Sequence, residues 1–122
     1  MDIQDFTMDF FSLKGKNAMV TGGNTGLGQA FALALAKAGA NLFVPSIITD
    51  DGSTRKLIED QGVGYAFMEA DIATEGVPRK IIKTCVDQMG SIDILVNSAG
   101  ISLLADVEAF GRPQWDKMVN VN

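Results

Sequence analysis

The chain has 122 residues, of which 47% are hydrophobic and 20% charged, as in an ordinary soluble globular domain. Its net charge of −5 argues against nucleic acids or anionic membranes as partners, because both are bound by clusters of Lys and Arg. A single cysteine, Cys85, and no histidine exclude an internal disulfide and a Cys/His metal cage. With neither a signal-peptide pattern at its start nor an apolar run of membrane-spanning length, the chain is expected to be cytoplasmic.

Residues 1–14 are predicted to be an N-terminal leader that packs late or against another subunit through Phe6, Phe10, Phe11 and Leu13. Short apolar runs then alternate with helical patterns along the rest of the chain. The predicted strands are 16–21, 41–44 (stopped by Pro45), 65–68 and 92–96. The predicted helices are 26–38 (closed by Gly39), 54–61, 74–89 (with Thr74 as its N-cap) and 114–122.

This alternation predicts the α/β class, with a doubly wound parallel sheet. The strands are apolar throughout rather than alternating, which is typical of a sheet covered by helices on both faces. Right-handed crossovers place the first strand in the middle, in the order 3-2-1-4. The first helix is apolar almost all round, so it is predicted to be deeply buried.

The strongest motif is Thr-Gly-Gly-Asn-Thr-Gly-Leu-Gly, residues 21–28, between the first strand and the first helix. Glycine permits the turn and lets a ligand approach the backbone closely. The free N–H groups at the start of the following helix favour a pyrophosphate. No Gly-Lys-Ser/Thr is present, so this is not a P-loop, and the spacing also differs from Gly-x-Gly-x-x-Gly. A plain strand-to-helix turn is the alternative.

This Thr-Gly-x-x-x-Gly-x-Gly spacing resembles the cofactor fingerprint of the short-chain dehydrogenase/reductase family. The resemblance continues through Asp71-Ile72, through 97–100 (Asn-Ser-Ala-Gly) and through the helix at 115–122. It implies the first half of a Rossmann-type sheet. A looser likeness, in the lead-in at 11–16 and in the later helices, is to dehydrogenases of gluconate- or deoxygluconate-type sugar acids.

The resemblance also implies roles for individual residues. The turn glycines make room for the pyrophosphate, Asp71 accepts a hydrogen bond from the adenine amino group, and Asn97 lies on the path to the nicotinamide ribose. A turn or helix-capping role for Asp71 and a brace between strands for Asn97 are the structural alternatives. The predicted cofactor-binding residues are Gly22, Asn24, Thr25, Gly26, Leu27, Gly28, Ser46, Asp71, Ile72, Asn97, Ala99 and Gly100, and no metal is expected.

The choice between NAD and NADP depends on the end of the second strand, where NAD enzymes place an acid and NADP enzymes a base. This chain has Ser46 there and departs from both patterns. The nearest charges along the chain, Asp50 and Asp51, would repel a 2′-phosphate. NAD is therefore favoured over NADP.

Asn122 is predicted to be the family's catalytic Asn, with Asn120 as its competitor. The family also uses a Ser and a Tyr-x-x-x-Lys pair for hydride transfer between the nicotinamide and a secondary alcohol or ketone, and the looser likeness implies that this is a sugar acid. The only tyrosine, Tyr65, has Glu69 four residues later. Residues 15–122 are thus expected to be a cofactor-binding portion truncated before the catalytic segment and inactive alone, from a homotetramer or dimer. The alternative is a non-catalytic dinucleotide-binding module.

Overall fold

A computed structural model describes residues 2–122 and shows four parallel strands in the order β3-β2-β1-β4. The predicted α/β class and strand order are confirmed. The strands are β1 Asn17–Thr21, β2 Asn41–Ser46, β3 Tyr65–Glu69 and β4 Ile94–Asn97; the helices are α1 Gly26–Lys37, α2 Ser53–Glu59, α3 Val77–Met89 and α4 Arg112–Val121. None of the helices within residues 2–122 is long and apolar enough to cross a membrane.

The two central strands, β1 and β2, are buried on both faces. On one face Val20 and Val44 pack with Ala32 of α1 and Ile58 of α2. On the other face the buried cluster consists of Met19, Phe43, Ile81 and Cys85, the last two from α3. This two-sided burial explains why the central strands are apolar along their whole length.

Helix α1 buries only one side, so the prediction that it is deeply buried is wrong. Its buried positions are Gly28, Ala32 and Ala36, spaced four residues apart on one face. Leu27 and Phe31 are 73% and 42% exposed on the remaining surface. The small residues set the close approach to the sheet, Leu33 and Leu35 pack partly against the same core, and Leu27 and Phe31 stay exposed.

Strand β2 continues through Pro45 to Ser46, so the prediction that Pro45 ends the strand is wrong. Pro45 pairs in register with Met68 of β3. The register pairs between β1 and β2 end at Met19 and Phe43. Pro45, which has no N–H to donate, lies beyond the last of these pairs and interrupts none of them. Its carbonyl accepts a hydrogen bond from the N–H of Gly22 at 2.9 Å, which joins β2 to the glycine-rich turn.

Two predicted boundaries shift for local reasons. Helix α3 has Gly76 (φ +79°) as its N-cap instead of Thr74, because the carbonyl of Thr74 accepts the N–H of Val77 and so closes a turn. Strand β4 begins at Ile94, because the backbone and carboxylate of Asp93 hydrogen-bond the backbone of Asn17. That polar contact ties the amino ends of β1 and β4 together.

The segment before β1 forms two short 3₁₀ turns, Ile3–Asp5 and Met8–Phe11. Phe6 stacks on Phe10 at 5.2 Å between ring centroids, and both side chains stay half exposed. Leu13 packs partly on the core, and its N–H donates to the Ala38 carbonyl at 2.8 Å. Of the predicted apolar anchors, Leu13 alone contacts the core of the sheet.

Candidate functional site: a cleft at the carboxyl ends of the strands

A cleft of about 460 Å³ opens at the carboxyl edge of the sheet. The strand order reverses at β1, whose neighbours are β2 and β4, and ligands bind at such a switch point in open α/β sheets. The residues that line it come from the glycine-rich turn, the loops after all four strands, and α4. They are Gly22, Thr25, Gly26, Leu27, Gly28, Pro45, Ser46, Ile47, Ile48, Ala70, Asp71, Ile72, Ser98, Ala99, Gly100, Ile101, Lys117 and Val121.

The three turn glycines are needed for different reasons. Gly22 has φ +64°, and a Cβ there would lie 3.1 Å from Ala99 Cα, so it permits close packing against the loop after β4. Gly26 has φ +51°, and a Cβ there would have no atom of another part of the described chain, residues 2–122, within 4 Å. A Cβ on Gly28 would collide with the Gly22 carbonyl oxygen. Gly26 therefore leaves open space, whereas Gly22 and Gly28 allow two backbone segments to meet.

The first turn of α1 lines the cleft and suits an anion. Thr25 is the N-cap, but its side chain makes no capping hydrogen bond. The first N–H groups of an α-helix have no acceptor within the helix, and they carry the positive end of its dipole. Leu27 and Gly28 line the cleft at this point. The arrangement fits a phosphate or pyrophosphate.

A threonine hydroxyl holds the loop after β4 against the turn. Thr21 Oγ1 accepts hydrogen bonds from the N–H groups of Ser98 and Ala99, both at 3.0 Å. Thr21 is buried at the end of β1 and pairs in register with Asn97. Sequence reasoning missed this contact, although the Thr that opens the glycine motif was its signal.

The wall on the β2 side is formed by Ser46 and two isoleucines. Ser46 is buried, and its hydroxyl accepts the N–H of Ile48 at 3.1 Å. Ile47 and Ile48 are 64% and 53% exposed and line the cleft. This wall is apolar, with Ser46 as its polar member.

The charged residues that line the cleft are Asp71 and Lys117, and neither Asp50 nor Asp51 is among them. Asp50 instead accepts a hydrogen bond from the Tyr65 hydroxyl at 2.7 Å. Burial, followed by this bond to Asp50, raises the pKa of Tyr65 above its ordinary value. The tyrosine is therefore held as a neutral donor to Asp50.

Asp71 and Ile72 both line the cleft, in the loop after β3. Asp71 also forms a turn, because its carboxylate accepts the N–H of Ala73 at 2.9 Å and its carbonyl accepts that of Thr74 at 3.1 Å. The turn role weighed in the sequence is thus present. It fixes this loop at the mouth of the cleft.

Three of the predicted site residues do not line the cleft. Asn24 is buried within the glycine-rich turn, and Asn97 is exposed at the end of β4. Asn122 accepts the Ile101 N–H through Oδ1 at 2.8 Å and donates from Nδ2 to the Ile101 carbonyl at 3.0 Å. Its side chain thereby ties the end of α4 to the loop after β4.

Several lining residues were not predicted from the sequence. Their shared feature is position, at or just after a strand end or on α4. The rule that sites lie at carboxyl ends could have indicated those that follow strands, whereas the packing of α4 could not be anticipated. These additional residues are Pro45, Ile47, Ile48, Ala70, Ser98, Ile101, Lys117 and Val121.

The fold and the cleft together define a class, the nucleotide-binding α/β proteins with a glycine-rich turn at the switch point of a parallel sheet. Within that class, residues 16–122 match the family model for short chain dehydrogenases. The chain belongs to the short-chain dehydrogenase family, which confirms the resemblance seen in its motifs.

The curated relatives include an uncharacterized oxidoreductase, YgcW, of Escherichia coli K12, which is 61% identical over 96% of this chain and 45% of that protein. A 2-dehydro-3-deoxy-D-gluconate 5-dehydrogenase of Bacillus subtilis 168 is 39% identical over 93% of this chain and 44% of that protein. The chain thus spans less than half the length of these relatives. The likeness to sugar-acid dehydrogenases is confirmed at the level of sequence similarity.

Solved structures match in the same way. A variant of a short-chain dehydrogenase/reductase from Serratia marcescens superposes with a TM-score of 0.84 at 30% identity, covering 89% of this chain and 45% of that one. An NADH-dependent reductase responsible for alginate metabolism gives a TM-score of 0.82 at 28% identity, covering 90% and 46%. The fold described above is therefore that of a part, less than half, of such enzymes.

Proposed function

We propose that this chain forms the dinucleotide-binding portion of an NAD-dependent short-chain dehydrogenase that interconverts a secondary alcohol and a ketone. The observation that carries the proposal is the cleft into which the uncapped start of α1 opens. The glycine-rich turn and the loops after β3 and β4 close around the same space. The bound nicotinamide would supply hydride transfer, and the residues of this chain would bind and orient it.

The residues present fit such a cofactor. Gly26 has no side chain that would obstruct the phosphates, and its φ of +51° excludes most other residues. The cleft volume of about 460 Å³ lies in the range typical of sites for small molecules. Ala99 and Gly100 extend the wall from the turn toward α4. The cofactor would lie across the carboxyl ends of the strands.

The wall on the β2 side supports NAD over NADP. Ser46, Ile47 and Ile48 form it, and none of them carries the positive charge that a 2′-phosphate requires. The one cation lining the cleft among residues 2–122 is Lys117. Lys117 lies on α4, and the end of α4 is hydrogen-bonded to the loop after β4. Because β4 and β2 lie on opposite sides of β1, Lys117 belongs to the other side of the cleft from the β2 wall.

A sugar acid is the substrate class that the relatives favour. Two of them act, by name, on 2-dehydro-3-deoxy-D-gluconate at 38–39% identity. We assign Asn122 to the catalytic end of the cleft. There it would act by fixing the Ile101 backbone, which lines the cleft.

Titration calorimetry with NAD and NADP, followed by turnover assays on a panel of keto-deoxy sugar acids and polyols, tests the proposal. The expected result is saturable binding with lower Kd for NAD, and turnover of a sugar acid by the protein that carries this chain. Folded protein that binds neither dinucleotide would refute the proposal.

A non-catalytic dinucleotide-binding module is the second candidate. The residues of the cleft are compatible with it, because within residues 2–122 they include groups suited to bind a dinucleotide, whereas Tyr65 donates its hydroxyl to Asp50 and does not line the cleft. NAD binding without turnover of any secondary alcohol or ketone would favour this module over the enzyme.

A further inference from the structure

Asn24 lies in the glycine-rich turn but does not line the cleft. It is 8% exposed, and its Nδ2 donates to the Ile48 carbonyl at 2.7 Å. Only the amide nitrogen can donate to a carbonyl, so the orientation of the side chain is fixed. Its Oδ1 is buried and has no hydrogen-bond partner within residues 2–122. An unpaired buried acceptor costs free energy, so the stabilising hydrogen bond of the Asn24 side chain is the one to Ile48.

That contact fixes the wall of the cleft beyond β2. The N–H of Ile48 donates to Ser46 Oγ at 3.1 Å, and its carbonyl accepts from Asn24. Ile48 is therefore held on both sides of its backbone, although its side chain is 53% exposed. Since Ser46 and Ile47 complete the same wall, the hold on Ile48 sets the shape of the surface facing the cleft.

Asn24 is itself held by a buried chain of hydrogen bonds through Thr54. Thr54 at the start of α2 donates from Oγ1 to the Asn24 carbonyl at 3.3 Å and accepts from Gln29 Nε2 at 2.9 Å. Thr54 is fully buried. The turn, α1 and α2 are thereby joined at one residue, and the Asn24 amide is presented to Ile48 from a rigid support.

The cations nearest in sequence to this wall are occupied elsewhere. Arg55 pairs with Glu59 at 3.0 Å and lies over the Tyr65 ring at 4.9 Å from its centroid. Lys56 pairs with Asp60 at 2.8 Å. A 2′-phosphate at the wall would therefore meet apolar side chains and fixed backbone instead of a positive charge.

We infer that Asn24 is a specificity-determining positioning residue, which holds Ile48 so that the wall accepts an adenosine ribose with a free 2′-hydroxyl and rejects a 2′-phosphate. The inference rests on the proposed dinucleotide function. Asn24 acts through Ile48 and makes no contact of its own with the cleft.

The test compares Asn24→Ala and Asn24→Ser with Asn41→Ala. Asn24→Ser retains a polar turn residue and the backbone bond to Thr54 but is too short to reach Ile48. Asn41 is the matched control, because its side chain also forms hydrogen bonds, to Asn17 Oδ1 and from the Gly64 N–H, at the opposite edge of the sheet. Calorimetry gives Kd for NAD and NADP, and circular dichroism confirms the fold of each variant.

We expect both Asn24 variants to lower the ratio of Kd for NADP to Kd for NAD about tenfold, and Asn41→Ala to leave it unchanged. An unchanged ratio, with both affinities weakened equally, would show a purely structural residue and overturn the inference. Loss of the fold in both Asn24 variants would overturn it as well. Wild-type protein that binds no dinucleotide would instead overturn the proposed function, and this inference with it.

Discussion

Replacing Gly28 with Ala tests how the glycine-rich turn is packed. A Cβ at this position would collide with the Gly22 carbonyl oxygen and lie 2.9 Å from the Gly22 carbonyl carbon and 3.2 Å from Gly23 Cα. These are backbone atoms, which cannot rotate away. The start of α1 must therefore move out of the turn, and the N–H groups that line the cleft move with it.

The size of the effect follows from two opposing contributions. Overpacking costs about 3 kcal/mol at the upper end of its usual range, which applies because backbone must shift. Alanine regains about 1 kcal/mol over glycine in a helix. We therefore expect Gly28→Ala to lower the free energy of unfolding by about 2 kcal/mol, equivalent to a fall in Tm of about 8 °C for a domain of this size.

Urea unfolding and NAD calorimetry on the same samples measure both consequences. Gly64→Ala is the matched control, because a Cβ there would meet only the Asn41 side chain, at 3.3 Å from its Oδ1, far from the cleft. We expect the control to change stability by less than about 0.5 kcal/mol and to bind NAD normally. A Gly28→Ala protein within that same margin of wild type would refute the packing argument.

Three further predictions concern the loops and their anchors. Asn122→Ala removes both bonds to the Ile101 backbone, so we expect the Ile101 amide to exchange about tenfold faster by NMR hydrogen exchange. Ser46→Asp places a carboxylate at the end of β2, and we expect calorimetry to show tighter NAD and weaker NADP binding. Tyr65→Phe removes the hydroxyl bonded to Asp50 and should cost about 1 kcal/mol at neutral pH. Burial and Asp50 raise the pKa of Tyr65 in the folded protein above its ordinary value of 10.0. The stabilising contribution of the Tyr65 hydroxyl is therefore complete below pH 10.0 and falls as the pH rises through the folded-state pKa. Above pH 10.0, the free energy of unfolding should depend less steeply on pH in Tyr65→Phe than in the wild type.

A specific result would contradict each of these predictions. Unchanged exchange at Ile101 would mean that the end of α4 does not hold the loop. Equal gains for NAD and NADP in Ser46→Asp would remove Ser46 from the ribose wall. Identical alkaline slopes for wild type and Tyr65→Phe would mean that Tyr65 ionises normally in the folded protein.

The sheet order and the glycine-rich turn could be predicted because both depend on local chemistry. Apolar runs of strand length separated by helical patterns leave few topologies, and the crossover rule selects one. The predictions from sequence were wrong where packing between distant elements determines the structure. Pro45 stays in β2 because the register with β1 has already ended there, and Phe31 stays exposed because the buried face of α1 is formed by Gly28, Ala32 and Ala36. Neither fact is visible in the residue types.

The candidate site divides in the same way. The turn, Asp71-Ile72 and Ala99-Gly100 were predicted from the family resemblance to bind the cofactor. All three segments contribute to one cleft, because the carboxyl ends of parallel strands share one edge. Lys117 and Ile48 could not be predicted, because their positions depend on how α4 and the loop after β2 fold back. The bond from Asn24 to Ile48 likewise requires the coordinates of both loops.

The contact between Asn17 and Asp93 has a consequence for the order of folding. It joins residues 76 positions apart, whereas Asn17 and Asn41, at the same end of β1 and β2, are only 24 apart. Closing the longer loop costs about 1 kcal/mol more in chain entropy, so β1 and β2 should pair before β4 docks. The wall at Ser98–Ile101 would then be the last part of the cleft to form. In a refolding experiment, competence to bind a dinucleotide should therefore appear after the β1 and β2 amides become protected, and its appearance beforehand would contradict this order.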